Sequence, residues 1–467
     1  MLFRSPNGKG QFVNPQTGQV VPAAYEDLFV PGVGNPAPGA VSAGNKPLAK
    51  SRGVLVAPRL GFAYDPLGDQ KTVIRGGVGQ SFAQRTSWGN VYGNVTNAPT
   101  VFFPTQYYGS VGSIATQGGL VGPSSEQYMD PNGHLPYSLQ WSLGVERELG
   151  FRTVLGVSYV ANVSRHGAYK HNINEVPYGA EFLPQNQNSN SNSPLPDDYF
   201  RPYPGYNTIT ELAFGDNSNY NSLQVTLNRK FAHNLTYGVS YTWAKQLDDN
   251  RTTTYVPASA TYGPVIGQSR LNRLTADWVW ELPKGSRHWN NVLSRSVLDN
   301  WSFSGIASFI SGAADMATCS PDNGENITGG GDLSKCIKTG NAELSRGSRS
   351  FNRYFNTSVF ALPTPIPHGQ TTYTTANIGN QWNGSFYDPG VNNWDLSFMK
   401  NIVIKERVGA ELRADMTNAF NHPSFTAVNN SGTFNPTTGG LDNASSFGQI
   451  TGDLGARVIQ VSARIKF

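Results

Sequence analysis

Two cysteines are the residues of this sequence whose chemistry is easiest to define. Cys319 and Cys336 are the only cysteines among the 467 residues, and both fall in the longest connection between the strands predicted below. In an oxidising compartment such a pair forms a disulfide that closes the loop between them, which stabilises a fold by about 3 kcal/mol if chain entropy dominates. The alternative is two free thiols. Without paired histidines the cysteines do not make a zinc site.

A second candidate is a cluster of oxygen-bearing side chains at the end of a predicted strand. Asp248, Asp249 and Asn250 carry the carboxylate and amide oxygens that calcium prefers. The same residue types are typical of the start of a solvated loop, which is the interpretation we favour. Asp216 with Asn217 and Asn219 is a similar but weaker case. The sequence therefore predicts neither a bound metal nor a cofactor.

Catalytic motifs are missing from the sequence. The Gly-x-Ser-x-Gly pattern of serine hydrolases does not occur. The run Thr328–Gly331 lacks the Lys-Ser/Thr of a phosphate-binding loop, so we expect it to provide flexibility. His422 lies in an Asn-His-Pro sequence that favours a turn, and no two histidines have metal-ligand spacing on one strand face. The seven histidines are His134, His166, His171, His233, His288, His368 and His422. We predict that the protein is not an enzyme.

Alternation of apolar and polar residues with a period of two identifies the elements that position these side chains. From Tyr137 to Leu149 the apolar residues face one way and the polar residues the other, with Arg147 as the exception. The pattern recurs and predicts about eleven strands, while helical periodicity is not convincing anywhere. The predicted strands are 54–64, 71–83, 137–149, 153–163, 220–231, 235–247, 272–282, 300–311, 391–402, 406–418 and 455–467.

The connections between the predicted strands alternate in length. The short ones are 65–70, 150–152, 232–234, 283–299 (rather long for a tight turn) and 403–405. The long ones are 84–136, 164–219, 248–271, 312–390 and 419–454. Connections above about fifteen residues are uncommon in compact soluble domains, whereas outer-membrane barrels alternate short periplasmic turns with long extracellular loops. The fold class predicted is therefore all-β, an antiparallel transmembrane β-barrel portion of about eleven strands with long extracellular loops.

The composition agrees with strands that face lipid on one side and water on the other. Charged residues are 14% of the chain, against about 25% in typical soluble proteins, and the 12% aromatic content suits the girdles of membrane barrels. No Lys/Arg-rich run accompanies the net charge of +4, so nucleic acid is not an expected partner. No apolar run is long enough for a transmembrane helix. The alternative is a soluble β-protein whose apolar face forms a core.

Charged residues on the predicted polar face have two interpretations. They form either a catalytic set, or lumen charges that pair with one another or with a domain that fills the lumen. We favour the second interpretation, because charged and polar side chains are typical of a barrel interior. The residues concerned are Glu146, Glu148, Arg407, Glu411, Arg413 and Asp415.

The last eleven residues resemble the final strand of bacterial membrane barrels, which is amphipathic, ends in phenylalanine and is recognised by the barrel assembly machinery. The alternative is an ordinary amphipathic strand at the edge of a sheet. One face of the strand carries polar side chains. The other face carries the residues of the candidate assembly signal, namely Ile459, Val461, Ala463, Ile465 and Phe467.

Several segments, in this order and spread over nearly the whole chain, resemble the large TonB-dependent receptors of the Oar-like, acidobacterial type, which carry a carboxypeptidase-regulatory-like domain before the plug. Each segment is weak alone, but together they make the resemblance fairly specific. The segments are Ala57–Pro66, Lys71–Gly79, Tyr220–Gln224, Tyr241–Lys245, Asn392–Ser397, Asn418–Pro423 and Phe447–Thr451.

The resemblance implies a barrel of about 22 strands with a plug in its lumen, driven by an inner-membrane complex that pulls on a TonB box. This sequence has about eleven predicted strands, and no recognisable plug, TonB box or signal peptide. We therefore expect residues 54–467 to be the C-terminal part of such a barrel, and residues 1–53 to be an irregular segment or the remnant of an outer loop. Half a barrel leaves two unpaired edges, which do not sit in lipid.

The function that follows is ligand binding and import as part of a TonB-dependent receptor in the cell outer membrane. The expected partners are outer-membrane lipid, the barrel assembly machinery, the missing N-terminal barrel half with its plug, the TonB complex acting through that plug, and a small or polymeric ligand of unknown identity. The alternatives are a plug-free pore or adhesin, or a secreted soluble protein that binds carbohydrate.

Overall fold

The computed structural model describes residues 12–13, 20–21, 53–83, 124–130, 132–188, 193–203, 206–249, 261–287, 291–331, 335–381, 383–405 and 408–467. The predicted irregular segment 1–53 therefore lies almost entirely outside the described residues. Within it, Phe12–Val13 pairs with Val20–Val21 as a small antiparallel ladder.

One large antiparallel sheet dominates the molecule. Each of its eleven main strands pairs with the next one along the chain, so the order in the sheet is the order in the sequence. This up-and-down arrangement confirms the predicted all-β fold. The strands are β1 (Arg59–Tyr64), β2 (Thr72–Phe82), β3 (Tyr137–Gly150), β4 (Thr153–Asn172), β5 (Tyr206–Ala232), β6 (Leu235–Asp248), β7 (Asn272–Glu281), β8 (Trp301–Ile310), β9 (Val391–Lys405), β10 (Val408–Thr417) and β11 (Val458–Lys466).

The connection predicted at 164–219 is shorter in the structure, because β4 and β5 extend further than the alternation indicated. Their ladder shifts register between Ser164 and Ala168 and then continues to Asn172. A strand at Ser124–Met129 pairs in parallel with the beginning of β5. Met129 packs there against Leu212 and Phe214 in a small buried cluster.

The turn predicted at 403–405 is wrong, because those residues belong to β9. Val403 pairs with Gly409 and Lys405 with Val408, with a register shift between the two pairs. The apolar residues of Ile402–Ile404 are consecutive and break the period of two, and the shift accommodates this local irregularity. The two strands are joined by residues 406–407, which are outside the described part of the chain.

The connection between β7 and β8 contains a helix that the sequence did not predict. Helix α1 (Val292–Leu298) begins with a capping box in which the Asn291 side chain accepts a hydrogen bond from the Ser294 amide at 2.7 Å. Such reciprocal caps stabilise short helices. Among the described helices none is long and apolar enough to cross a membrane. The remaining helices are α2 (Thr375–Ile378) and the 3₁₀ turns Ala180–Phe182, Pro184–Asn186, Asp197–Tyr199, Gly285–Arg287, Arg346–Ser348 and Thr357–Val359.

The strand registers place most of the large apolar side chains of the eleven strands on one side of the sheet, which we call the apolar face. Val279 and Ile306 are exceptions that lie on the other side. A typical row joins Leu143, Tyr159, Leu223 and Trp243 across four neighbouring strands. These side chains are not covered by a second layer: Leu143 is 54% exposed and Trp243 is 57% exposed. A soluble sandwich would bury this face against another sheet, so its exposure fits contact with lipid.

Aromatic side chains form a ladder down the apolar face. The rings of Phe309 and Trp394 lie 5.5 Å apart and those of Trp394 and Trp278 lie 6.2 Å apart. Trp278 then contacts Phe303 at 5.6 Å, and Phe303 stacks on Phe398 at 4.7 Å. These spacings are in the favourable range for aromatic pairs.

The buried core lies in the long connections rather than in the sheet. Its largest cluster is formed by residues that precede β9 or follow β10. Short ladders connect these segments. The small paired strands are Gly263–Pro264 with the end of β6, Ala314–Asp315 with Phe386–Tyr387, Thr318–Pro321 with Ser431–Phe434, Ile337–Lys338 with Phe360–Ala361, and Phe425–Val428 with Ile450–Asp453.

Candidate functional site

The side of the sheet opposite the apolar face, which we call the polar face, carries ion pairs between neighbouring strands or within one strand. Arg75 lies 3.3 Å from Glu146, and Lys466 lies 2.5 Å from Glu411. Within one strand, Arg413 pairs with Asp415 at 2.8 Å. These side chains are between 19% and 60% exposed, and exposed pairs contribute only about 0–1 kcal/mol each. The main consequence of these ion pairs is that the polar face is charged and hydrated.

The structure separates the charged residues that the sequence grouped as a candidate catalytic set. Glu146 and Glu148 lie on β3, whereas Glu411, Arg413 and Asp415 lie on β10, seven strands away in the sheet. Arg407 is outside the described residues. On β7–β10 the polar face forms a cavity of about 430 Å³, with Asp277, Asp395 and Arg413 in its lining.

The long connections before β9 and after β10 fold together into one body. We call the described parts of residues 311–390 and 418–457 the loop cap. Its centre is Phe355, which is 1% exposed and stacks on Phe386 with 4.2 Å between the ring centroids. Phe447 and Phe360 contact the same ring at 5.2 and 5.7 Å. A loop with its own buried aromatic core is ordered by packing and holds its surface in one shape.

Strand pairing also ties the two halves of the loop cap together. Thr318–Pro321 runs parallel to Ser431–Phe434. Asn430 donates from its side-chain amide to the Asp315 carboxylate at 3.1 and 3.2 Å. Backbone and side-chain bonds therefore join segments that are more than a hundred positions apart in the sequence.

The two cysteines lie inside the loop cap. The structure joins Cys319 to Cys336 through a disulfide. Cys319 lies on a strand of the parallel ladder, and both residues belong to the aromatic cluster. They are 6% and 0% exposed, so the covalent link is shielded from reductants in solution.

The glycine run of Thr328–Gly331 packs closely, which corrects the expectation of flexibility. Gly329, Gly330 and Gly331 have φ values of 59°, 123° and 71°, which favour glycine. A Cβ atom on any of them would lie 2.5 Å from a side chain of the β4–β5 connection. The run also accepts backbone hydrogen bonds from Gly179 and Glu181, both at 2.8 Å. It therefore joins that connection to the loop cap.

Two half-buried acids, Asp315 and Asp388, lie in the loop cap close to the ends of β8 and β9. Burial and the neighbouring Asp315 carboxylate raise the pKa of Asp388 to about 7, against a smaller opposing effect of Arg270. Burial also raises the pKa of Asp315, although hydrogen bonds from Met316 and Asn430 oppose it. One carboxylate oxygen of Asp388 has no hydrogen-bond partner among the described residues. The protonated form of Asp388 is therefore favoured below neutral pH.

The two described candidate calcium residues, Asp248 and Asp249, lie where β6 ends. Asp248 is the last residue of β6. Asp249 is 5% exposed and accepts hydrogen bonds from the backbone and side chain of Asn217 at 3.1 and 2.9 Å. Asn250 lies outside the described residues. Within the described ranges no three His, Cys, Asp or Glu side chains are arranged to hold a metal ion.

Histidine contacts in the structure were not evident from spacing along the chain. The rings of His134 and His166 stack at 4.6 Å, and His171 lies 2.7 Å from Glu211. His422 lies in the predicted turn, where its backbone amide donates to the Asn418 side chain at 2.9 Å. The first two contacts cross between strands or connections, so only the register reveals them, whereas the His422 contact is local to its turn.

Ile459, Val461, Ala463 and Ile465 of the candidate assembly signal lie on one face of β11, at the edge of the sheet, and Phe467 follows the last residue of this strand. Val461 pairs with Ala414 and Ile465 with Ala410, which places them on the apolar face. Val461 is 76% exposed and Phe467 is 98% exposed. An apolar strip with a free aromatic end is thus accessible to another molecule.

The sequence did not predict the loop cap, although a signal for it is present. The cap contains phenylalanines in segments that have no strand alternation, and a solvated loop would not carry so many large apolar side chains. They are Phe351, Phe355, Phe360, Phe386, Phe420, Phe425, Phe434 and Phe447.

Solved outer-membrane proteins align with this chain at low sequence identity. The outer membrane transporter YddB from Escherichia coli aligns with a TM-score of 0.44 and 9% identity over 88% of this chain and 40% of that one. The siderophore receptor PirA from Pseudomonas aeruginosa gives 0.34 and 11%, over 88% and 41%. The ferripyoverdine receptor of the same species gives 0.35 and 9%, over 88% and 32%. The chain thus spans less than half the length of each.

Family membership is shown by the sequence of the whole chain rather than by these alignments. No curated protein matches the chain. The family described as "Outer membrane beta barrel domain" matches residues 3–460. Its description agrees with the antiparallel sheet and the exposed apolar face. The chain therefore belongs to the outer membrane beta barrel domain family and is a protein of the outer membrane.

Proposed function

We propose that the chain forms part of the wall of a TonB-dependent outer-membrane receptor, which binds a ligand outside the cell and imports it. The observation that carries this proposal is the loop cap, a packed body with its own aromatic core at the long-loop end of a polar, charged sheet face. A preordered surface above a wet passage suits selective capture, because little conformational entropy is lost on binding. The resemblance of segments such as Asn392–Ser397 to TonB-dependent receptors supports the same class.

The orientation follows from the connections. Outer-membrane barrels place short turns in the periplasm and long loops outside. The short turns after β1, β3, β5 and β9 all lie at one end of the sheet, and the loop cap lies at the other. The cap then faces the medium, where ligand specificity would reside.

The proposal includes further strands and a plug that complete the receptor. Among the described strands, β1 pairs only with β2 and β11 only with β10. Unpaired backbone amides and carbonyls are costly in hydrocarbon, so we infer that additional strands close the sheet into a barrel. The charges of the polar face would then meet the plug, through which the TonB complex supplies energy.

Uptake from the medium tests the function for a ligand of any identity. Cells with the gene, cells without it and cells treated with a protonophore are grown in one rich medium, and the loss of each solute is followed by mass spectrometry. We expect at least one solute whose removal requires both the gene and the proton-motive force, because TonB-driven import requires both.

Electrical recording distinguishes the alternative functions. The purified protein in a planar bilayer should give no stable ion conductance if a plug closes the passage. Steady conductance, together with uptake that requires the gene but resists the protonophore, would instead show a passive pore. Gene-dependent cell attachment without solute uptake would show an adhesin.

A further inference from the structure

A cleft opens on the apolar face where β6–β9 meet the loop cap. Its volume is about 720 Å³. The floor is formed by Tyr241, Leu274 and Phe309, which are register partners on three neighbouring strands. The floor is therefore the outermost part of the face that meets lipid, and the aromatic ladder continues from Phe309 towards the other end of the sheet.

The rim of the cleft is cationic. Arg346 and Arg349 reach it from the loop cap, and His422 reaches it from the turn after β10. None of the described residues that line the cleft is an aspartate or a glutamate. The site thus combines an apolar floor with two guanidinium groups at the loop-cap end of the sheet.

One of the two arginines is held in place by its neighbours. Arg349 donates from Nε to the Leu344 carbonyl at 3.0 Å and from Nη1 to the Tyr354 hydroxyl at 2.8 Å. Its guanidinium carbon lies 4.8 Å from the centre of the Tyr354 ring. Arg346 is exposed and makes no hydrogen bond through its side chain within the described part of the chain. The guanidinium group of Arg349 is held in place and that of Arg346 is available to a ligand, a combination that is suited to a multivalent anion.

The cleft also contains an incompletely bonded amide. The side-chain oxygen of Asn392 is buried and has no hydrogen-bond partner among the described residues. Buried polar atoms are normally paired, so a donor on a bound molecule, such as a sugar hydroxyl, would complete this site.

We propose that this cleft binds the phosphate-bearing headgroup of an anionic lipid of the outer leaflet. Guanidinium groups bind phosphate through charge-assisted, often bidentate hydrogen bonds. The acyl chains would lie along the apolar face over Trp394 and Trp278, which a soluble anion would leave uncovered. Continuity of the floor with the lipid-facing surface is what favours a lipid over a free phosphate ion.

The inference depends on the location of the chain in the outer membrane and on the orientation proposed above, which places the loop cap outside, and not on ligand import. If lipid binding fails, the proposed receptor function is unaffected, since uptake from the medium is measured separately. If the uptake experiment shows a pore, the cleft remains a site for lipid on the outside of the sheet.

Binding of lipid A, a phosphorylated glycolipid, to the detergent-solubilised full chain tests the proposal by native mass spectrometry. We expect Arg346→Gln to weaken lipid A binding about tenfold, the effect of losing one charge-assisted hydrogen bond. Within the described residues the Arg346 side chain makes no hydrogen bond or ion pair, so we expect the fold not to change. Arg349→Lys keeps the positive charge but loses the guanidinium group, which can donate two parallel hydrogen bonds to phosphate. This variant should also bind lipid A more weakly.

The matched control is Arg353→Gln, an exposed arginine of the same loop that does not line the cleft. Its binding of lipid A should stay within about twofold of wild type, because exposed charges act weakly at a distance. Phosphatidylcholine, which is zwitterionic, should bind equally to all variants.

Two results would overturn the proposal. If both cleft variants bind lipid A as well as the wild-type protein does, the two arginines do not contribute to lipid binding and the proposal is wrong. Displacement of lipid A by inorganic phosphate alone, at a similar concentration, would show a soluble-anion site in place of a lipid site.

Discussion

At the residue scale, we expect the half-buried carboxyl group of Asp388 to give the loop cap a pH response. The pKa of Asp388 is about 7 in the folded protein, against 3.8 for an unperturbed aspartate. The folded state therefore holds a proton that the unfolded chain releases between these values. Stability should decline as the pH rises from about 4 to about 7 and then level off.

Hydrogen exchange of loop-cap amides at several pH values, corrected for intrinsic rates, measures this response. We expect stronger protection at pH 5 than at pH 8, and Asp388→Asn should reduce the difference, because the asparagine does not ionise. Asp69→Asn, in the short turn after β1, should leave it unchanged. Protection that rises with pH in the wild-type protein would contradict the assignment.

The disulfide is the second determinant at the residue scale. Replacing Cys319 and Cys336 together by alanine should destabilise the loop cap by about 3 kcal/mol, because the 17-residue separation no longer restricts the unfolded loop. Limited proteolysis of intact cells measures the rate of cleavage within residues 320–335. Faster cleavage is expected only in the double variant, and Ser320→Ala is the control. Equal resistance in both would show that the aromatic core alone orders the loop.

At the scale of one strand, the two faces of β3 should respond oppositely to charge. Leu143→Arg places a charge on the apolar face and should destabilise the folded protein by about 2–4 kcal/mol near the middle of the bilayer. Ser142→Arg, the adjacent residue, points to the polar face and should cost less than about 1 kcal/mol. Equilibrium unfolding in lipid vesicles compares the two. Equal effects would be incompatible with lipid on one face only.

β11 should govern assembly more than stability. The last residue, Phe467, is 98% exposed and packs on little else, so Phe467→Ala should leave the folded sheet intact. If the apolar strip of β11 is an assembly signal, the variant should show a smaller folded fraction in the outer membrane, measured by heat-modifiable mobility. Ser462→Ala on the polar face is the control. Full assembly of Phe467→Ala would mean that β11 is an ordinary edge strand.

Strand positions were predictable because alternation is a local property of the sequence. The alternation predicts all eleven main strands. Their ends are predicted wrongly where the period of two is interrupted. His166 has a φ of 57° within the register shift of β4, so the polar pattern is interrupted there and the alternation predicts a strand end at 163. Helix α1 was missed because its seven residues are too few to show a helical period.

For the molecule as a whole, long-range contacts decided what the sequence did not reveal. The loop cap requires Phe355 to meet Phe447, and the cationic cleft requires Arg349 to come near Tyr241. The residues of each pair are far apart in the sequence, so no local periodicity predicts that they meet. The two cysteines were recognisable as a pair because no third cysteine competes.

The division of the eleven-stranded sheet into a face that meets lipid and a face that meets water underlies the proposed location and function. The most direct measurement is oxygen accessibility of spin labels at consecutive positions from 138 to 146 of β3, in the full protein in lipid vesicles. We expect high accessibility to oxygen at Leu139, Leu143 and Val145, and high accessibility to a water-soluble nickel complex at Gln140 and Ser142. Loss of this period of two, or its reversal, would contradict the assignment of the faces.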